Sequence, residues 1–152
     1  MKYFISICFT IFTVLSYAQK PCFDCSCFVN KSMQWTVNVD DKGREYLIRG
    51  DSLKGKSYSF QTLFSSISTN SKIQLKLLKI QNKTAYIKIV NTANFTQLGH
   101  ASVSWFLARL VFTLTENPNC NKIYLNFEEG DHTGPPGYFT RAMFEKSYVI
   151  CN

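Results

Sequence analysis

Histidine, glycine and acid are scarce in this chain: 152 residues include two histidines, seven glycines and ten acidic side chains. The glycines form neither a phosphate-cradling loop nor a dinucleotide fingerprint, so no nucleotide or other cofactor is expected. Ser102 and Ser104 lack the Gly-x-Ser-x-Gly elbow that would expose a serine nucleophile. No second Cys-x-x-Cys and no paired-histidine motif is available to complete a zinc site. Beyond the first eighteen residues no apolar run approaches the length of a bilayer, so no transmembrane helix is expected in the mature chain. Interleaved arginine and aromatic residues are also missing, and nucleic acid is not an expected partner.

What is present begins with an address. Lys2 opens the chain, a largely apolar stretch follows, and Ser16, Tyr17 and Ala18 end it with a small-residue cleavage pattern. Residues 1–18 therefore read as a secretory signal peptide, and an extracytoplasmic location, periplasmic or secreted, is expected. Residues 19–32 read as a cysteine-containing arm, and 33–152 as a single α+β domain.

Five cysteines remain after the leader: Cys22, Cys25, Cys27, Cys120 and Cys151. An odd number outside the cytoplasm predicts disulfides plus a leftover thiol, with the pairing open. Cys120 and Cys151 are the preferred partners for the Cys22, Cys25, Cys27 cluster, because they would tie the arm to the folded body. That cluster could instead hold a metal through thiolates or act in redox chemistry, although a zinc site needs a fourth ligand and no metal ligand is assigned.

Period-two alternation at Trp35, Val37 and Val39, a turn ending in Gly43, and residues 45–49 predict a strand pair. Phe60, Leu63, Phe64 and Ile67 recur at helical spacing behind Ser57 or Ser59 as cap. The aliphatic runs 73–80 and 84–90 flank a short polar turn and predict a hairpin. Val103, Phe106, Leu107, Leu110, Val111 and Leu114 form an unbroken apolar stripe, and residues 122–127 alternate as another strand. The expected fold is α+β, a mainly antiparallel sheet with two helices on one face, in the order β-β-α-β-β-α-β.

The passage Lys83-Thr84-Ala85-Tyr86-Ile87-Lys88-Ile89 and the run 108–127, where Phe112-Thr113-Leu114-Thr115-Glu116-Asn117-Pro118 leads into a strand, carry a likeness. Together with the element order, they resemble the GerMN domain, the extracytoplasmic module of GerM sporulation and germination proteins. The likeness spans about 35–129; the cysteine arm, the loop Glu128-Glu129-Gly130-Asp131-His132-Thr133-Gly134-Pro135-Pro136-Gly137 and the C-terminal extension have no counterpart. It implies a noncatalytic, envelope-associated role in cell-wall or coat assembly.

A formal charge of +7 favours acidic partners, with scattered solvated lysines as the plainer explanation. The expected function is thus a noncatalytic binding or assembly domain of the cell envelope, whose partner is an envelope protein or polymer. Contacts are assigned to Lys76, Lys83, Lys88, Glu128 and Tyr138. The alternative is a secreted hydrolase or metal-binding protein using the 128–132 loop, where Glu129, Asp131 and His132 would supply acid-base chemistry or cation ligands.

Overall fold

The computed structural model describes Cys25 and residues 28–152 apart from Asn70. The expected leader, Cys22 and Cys27 lie outside the described residues. The α+β class holds, with more elements than the sequence pattern announced.

Strands β1 (Thr36–Val39) and β2 (Glu45–Ile48) form an antiparallel hairpin. Its turn is organised by Asp40, whose carboxylate accepts the backbone N–H of Lys42 and Arg44 and the Arg44 guanidinium. Gly43 supplies the left-handed residue the turn needs, at φ +76°. Just beyond β2 the chain passes so close to the Ser32 and Gln34 carbonyls that a Cβ at position 50 would lie 2.2 Å from an oxygen, which only Gly50 avoids.

Helix α1 (Phe60–Thr69) starts where the Ser59 hydroxyl accepts the Thr62 N–H, and it buries Phe60, Leu63, Phe64 and Ile67. Ser66 and Ser68 point their hydroxyls back at the Leu63 and Phe64 carbonyls, so neither competes for the helix N–H groups. Strands β3 (Leu75–Gln81) and β4 (Thr84–Ile89) follow as the expected hairpin. Its loop is only Asn82 and Lys83, both left-handed at φ 51° and 56°, the twist that suits a two-residue connection.

The stretch between β4 and the long helix, where a loop is expected, contains one turn of helix, α2 (Ala93–Thr96). A single anchor explains it: Phe95 is fully buried edge-on against Phe106 and Phe127. Four residues are too few for periodicity to show.

Helix α3 (His100–Leu114) buries nine residues, among them Ala108, Phe112 and Thr113 in addition to the predicted stripe. Such all-round burial requires cover on both sides. On one side Trp35 packs edge-on against Phe112, its backbone N–H donates to the Thr113 hydroxyl, and the Trp105 indole N–H reaches Glu45. On the other, Ala85, Ile87 and Ile89 of β4 join Ile123 and Leu125 of β5 (Lys122–Asn126) in the same core.

The expected single β layer is therefore two sheets. One has order β1-β2-β7, with β7 (Val149–Cys151) parallel to β2; the other has order β3-β4-β5-β6, with β5 parallel to β4 and β6 (Gly137–Phe139) antiparallel to β5. Three of the five pairings are antiparallel. The split arises because β2 takes its second neighbour from the far end of the chain, a pairing that no local pattern announces. One hydrophobic core, from Trp35 to Tyr148, joins both sheets. Among the described residues, no helix is long and apolar enough to cross a membrane.

Candidate functional site

Side chains alternate across a strand, so every residue that the four-stranded sheet withholds from the core emerges on its opposite face. The parallel pairing of β4 with β5 sets Tyr86 beside Tyr124, and the antiparallel pairing of β5 with β6 sets Tyr124 beside Tyr138. Lys79 of β3 stands opposite Tyr86. One row of side chains thus crosses all four strands: lysine, tyrosine, tyrosine, tyrosine.

The rings touch. Centroids are 5.6 Å apart for Tyr86 and Tyr124, tilted at 41°, and 5.0 Å for Tyr124 and Tyr138, edge to face at 64°. The Lys79 ammonium lies 4.7 Å from the Tyr86 centroid and that of Lys122 lies 5.3 Å from the Tyr138 centroid, so a cation sits over each end of the row. The Tyr86 hydroxyl, by hydrogen bonding and by charge, pushes the Tyr138 phenol up, and burial adds to this against the pull of Lys122 and Lys79. The outermost ring, Tyr138, is 53% exposed.

The neighbouring rows complete the surface. Lys76 pairs with Lys88 and Lys88 with Asn126 on one side of the tyrosines; on the other, Gln81 and Lys122 flank Thr84, which is itself buried. No strand residue of this sheet is acidic. The face therefore combines apolar ring carbon, phenolic hydroxyls and four ammonium groups, which can stack on a ligand, hydrogen-bond it and neutralise its negative charge.

Of the residues predicted to make contacts, Lys76, Lys88 and Tyr138 come together here. Lys83 does not, because it occupies the hairpin tip. Glu128 lies beyond the end of β5, where its carboxylate accepts the Thr92 hydroxyl at 3.1 Å. Tyr86, Tyr124, Lys79 and Lys122 also belong to the face, in addition to the contact residues expected from sequence. Alternation marks Tyr86 and Tyr124 as facing away from the core, yet the register that aligns them depends on a pairing across 38 residues.

The hydrolase and cation-binding alternatives gather less. Glu129 and Asp131 line one shallow cleft beside α2, and Asp131 and His132 line another with His100 and Ser104, so Glu129 does not share a cleft with His132. Among the described residues, no three histidine, cysteine or carboxylate side chains converge to hold a metal ion.

Two further polar groups fasten the scaffold. Cys25 is disulfide-bonded to Cys151, which pins the arm against Tyr46 and Ile48 on the far side of the first sheet. Cys120, the other partner expected for the arm, is instead a free, buried thiol whose burial pushes its pKa up. Its place is in the core behind β5, away from Cys25. Glu116, just past α3, accepts the Trp35 indole N–H and pairs with both Arg49 and Arg141. Burial alone would raise its pKa, but those hydrogen bonds outweigh burial and hold the carboxyl below its usual value. The chain matches no family model, no curated protein and no solved structure.

Proposed function

We propose that this protein is a noncatalytic binding and assembly module of the cell envelope, acting outside the cytoplasm, and that it grips an acidic envelope polysaccharide on the Tyr86, Tyr124, Tyr138 face. The observation that carries the reading is the tyrosine row bordered by lysines. Lys76 and Lys88 stand directly opposite each other, a like-charge arrangement that destabilises a sheet. With Lys79 in the tyrosine row, Lys122 on its far side and no acid on the strands, the surface favours a polyanion over internal pairing.

A polysaccharide suits both halves of the surface. The C–H faces of sugar rings stack on phenol rings, and carboxylates on the same polymer meet the ammonium groups. The extracytoplasmic setting is supported by the signal-like 1–18 segment and by the Cys25–Cys151 disulfide, a bond that persists in oxidising compartments. The resemblance of 35–129 to GerMN domains agrees with a noncatalytic envelope role.

Retention on immobilised polygalacturonate, compared with neutral dextran, tests the proposal. Retention on the acidic polymer alone is expected. It should weaken about tenfold in Tyr124→Ala, equivalent to about 1.4 kcal/mol, and fall with added salt as ammonium–carboxylate contacts are screened. Equal retention on both polymers, or none on either, would overturn it.

A further inference from the structure

A second, separate surface lies where the segment before β3, helix α2 and helix α3 meet. The cleft there has a volume of about 510 Å³, within the range of small-molecule sites. Ile73, Leu98, Trp105 and Phe106 give it apolar walls, and Lys72 and Arg109 are its charged members. Among the described residues, no carboxylate lines it. The Trp105 N–H is already engaged by Glu45, which is not a lining residue, so the indole contributes ring carbon to the wall.

Arg109 is the informative member. The chain has four arginines, and three are ion-paired: Arg44 with Asp40, and Arg49 and Arg141 with Glu116. Among the described residues Arg109 has no carboxylate partner. Its hydrogen bonds go to neutral acceptors, the Gln34 side-chain oxygen at 3.0 Å and the Trp35 carbonyl at 3.4 Å. Burial lowers its pKa with no anion nearby to offset the loss of hydration. A half-buried guanidinium held by amide oxygens beside an apolar wall carries a positive charge without a counter-anion, which an anionic group in the cleft would supply.

We infer that this cleft binds a small amphipathic monoanion, an apolar body carrying one carboxylate, with the carboxylate on Arg109 and Lys72 and the body against Trp105, Phe106, Leu98 and Ile73. The site is distinct from the tyrosine face and does not depend on what that face binds. Arg109 is the residue whose bidentate geometry would select a carboxylate, and Lys72 adds a second positive charge at the mouth.

Titration calorimetry of the intact protein with decanoate, naphthalene-2-carboxylate and the uncharged decanol tests this inference. Decanoate represents a flexible chain and naphthalene-2-carboxylate a flat ring, so their relative affinities identify the shape of body the walls accept. Saturable one-to-one binding of at least one carboxylate is expected, at least tenfold tighter than decanol. It should drop about tenfold in Arg109→Gln and further in Ser102→Phe, which fills the cleft from α3. If thermal unfolding shows that Arg109→Gln does not fold, Lys72→Gln takes its place, with an affinity loss of about threefold expected. Absence of saturable carboxylate binding, decanol binding as tightly as decanoate, or folded cleft variants that bind unchanged would each overturn the inference.

Discussion

At the residue scale, Glu116 shows how a charged group can be structural. Its two oxygens serve Trp35, Arg49 and Arg141, and Arg141 also donates to the Thr115 hydroxyl and the Phe112 carbonyl while lying 4.8 Å from the Phe112 ring centroid. Removing the carboxylate leaves two half-buried guanidinium groups without their anion. Glu116→Ala should cost about 3 kcal/mol in a urea titration, the usual scale for breaking such a network from one side. The folded pKa of Glu116 is depressed, so its contribution is complete above the unfolded value of about 4.3 and disappears as pH falls through the lower folded value. Stability of the wild type should therefore fall more steeply on acidification below about pH 4 than that of Glu116→Gln. Parallel slopes for the two proteins would contradict this role.

Periodicity made most elements legible, because burial on one face leaves a repeating signature whatever the tertiary context. The α1 and α3 stripes and the β3–β4 hairpin lie where apolar spacing and turn residues place them. What stayed hidden was short or nonlocal. Helix α2 hangs on one phenylalanine and β6 has three residues, while at the C-terminus Tyr148-Val149-Ile150 suggests the short strand β7 but not its parallel pairing with β2 about a hundred residues earlier. The candidate site shared that fate: Tyr86, Tyr124 and Tyr138 lie on three different strands, and only sheet order brings them into a row. The β3–β4 turn offers a test at this scale. Lys83 holds a left-handed conformation that costs a side-chain-bearing residue about 1 kcal/mol or more. Lys83→Gly should raise the thermal midpoint, by an amount corresponding to about 1 kcal/mol, without altering retention on polygalacturonate, since the residue lies off the tyrosine face. A lowered midpoint would contradict the hairpin geometry.

For the whole molecule, the layout separates fastening from display. The first sheet is locked to α3 through Trp35 and Glu116 and to Cys25 through the Cys25–Cys151 disulfide, while among the described residues no further layer packs over the tyrosines on the outer face of the second sheet. The disulfide joins residues 126 positions apart, so it removes much freedom from the unfolded chain. Cys25→Ser with Cys151→Ser should lower unfolding free energy by about 3 kcal/mol, while the buried Cys120 thiol stays unreactive toward an aromatic disulfide reagent until the protein unfolds. Native-state labelling of Cys120 would contradict its place in the core.

The assignment of the tyrosine row as the ligand face is tested most directly by an NMR titration of the protein with short oligogalacturonates. The account predicts that the largest shift changes fall on Tyr86, Tyr124 and Tyr138 ring signals and on Lys79, Lys88 and Lys122, with the core signals of Leu110 and Ile123 unmoved. Shifts confined to the 128–132 loop or to the hairpin tip, or a saturating titration that leaves the tyrosine rings unchanged, would contradict it.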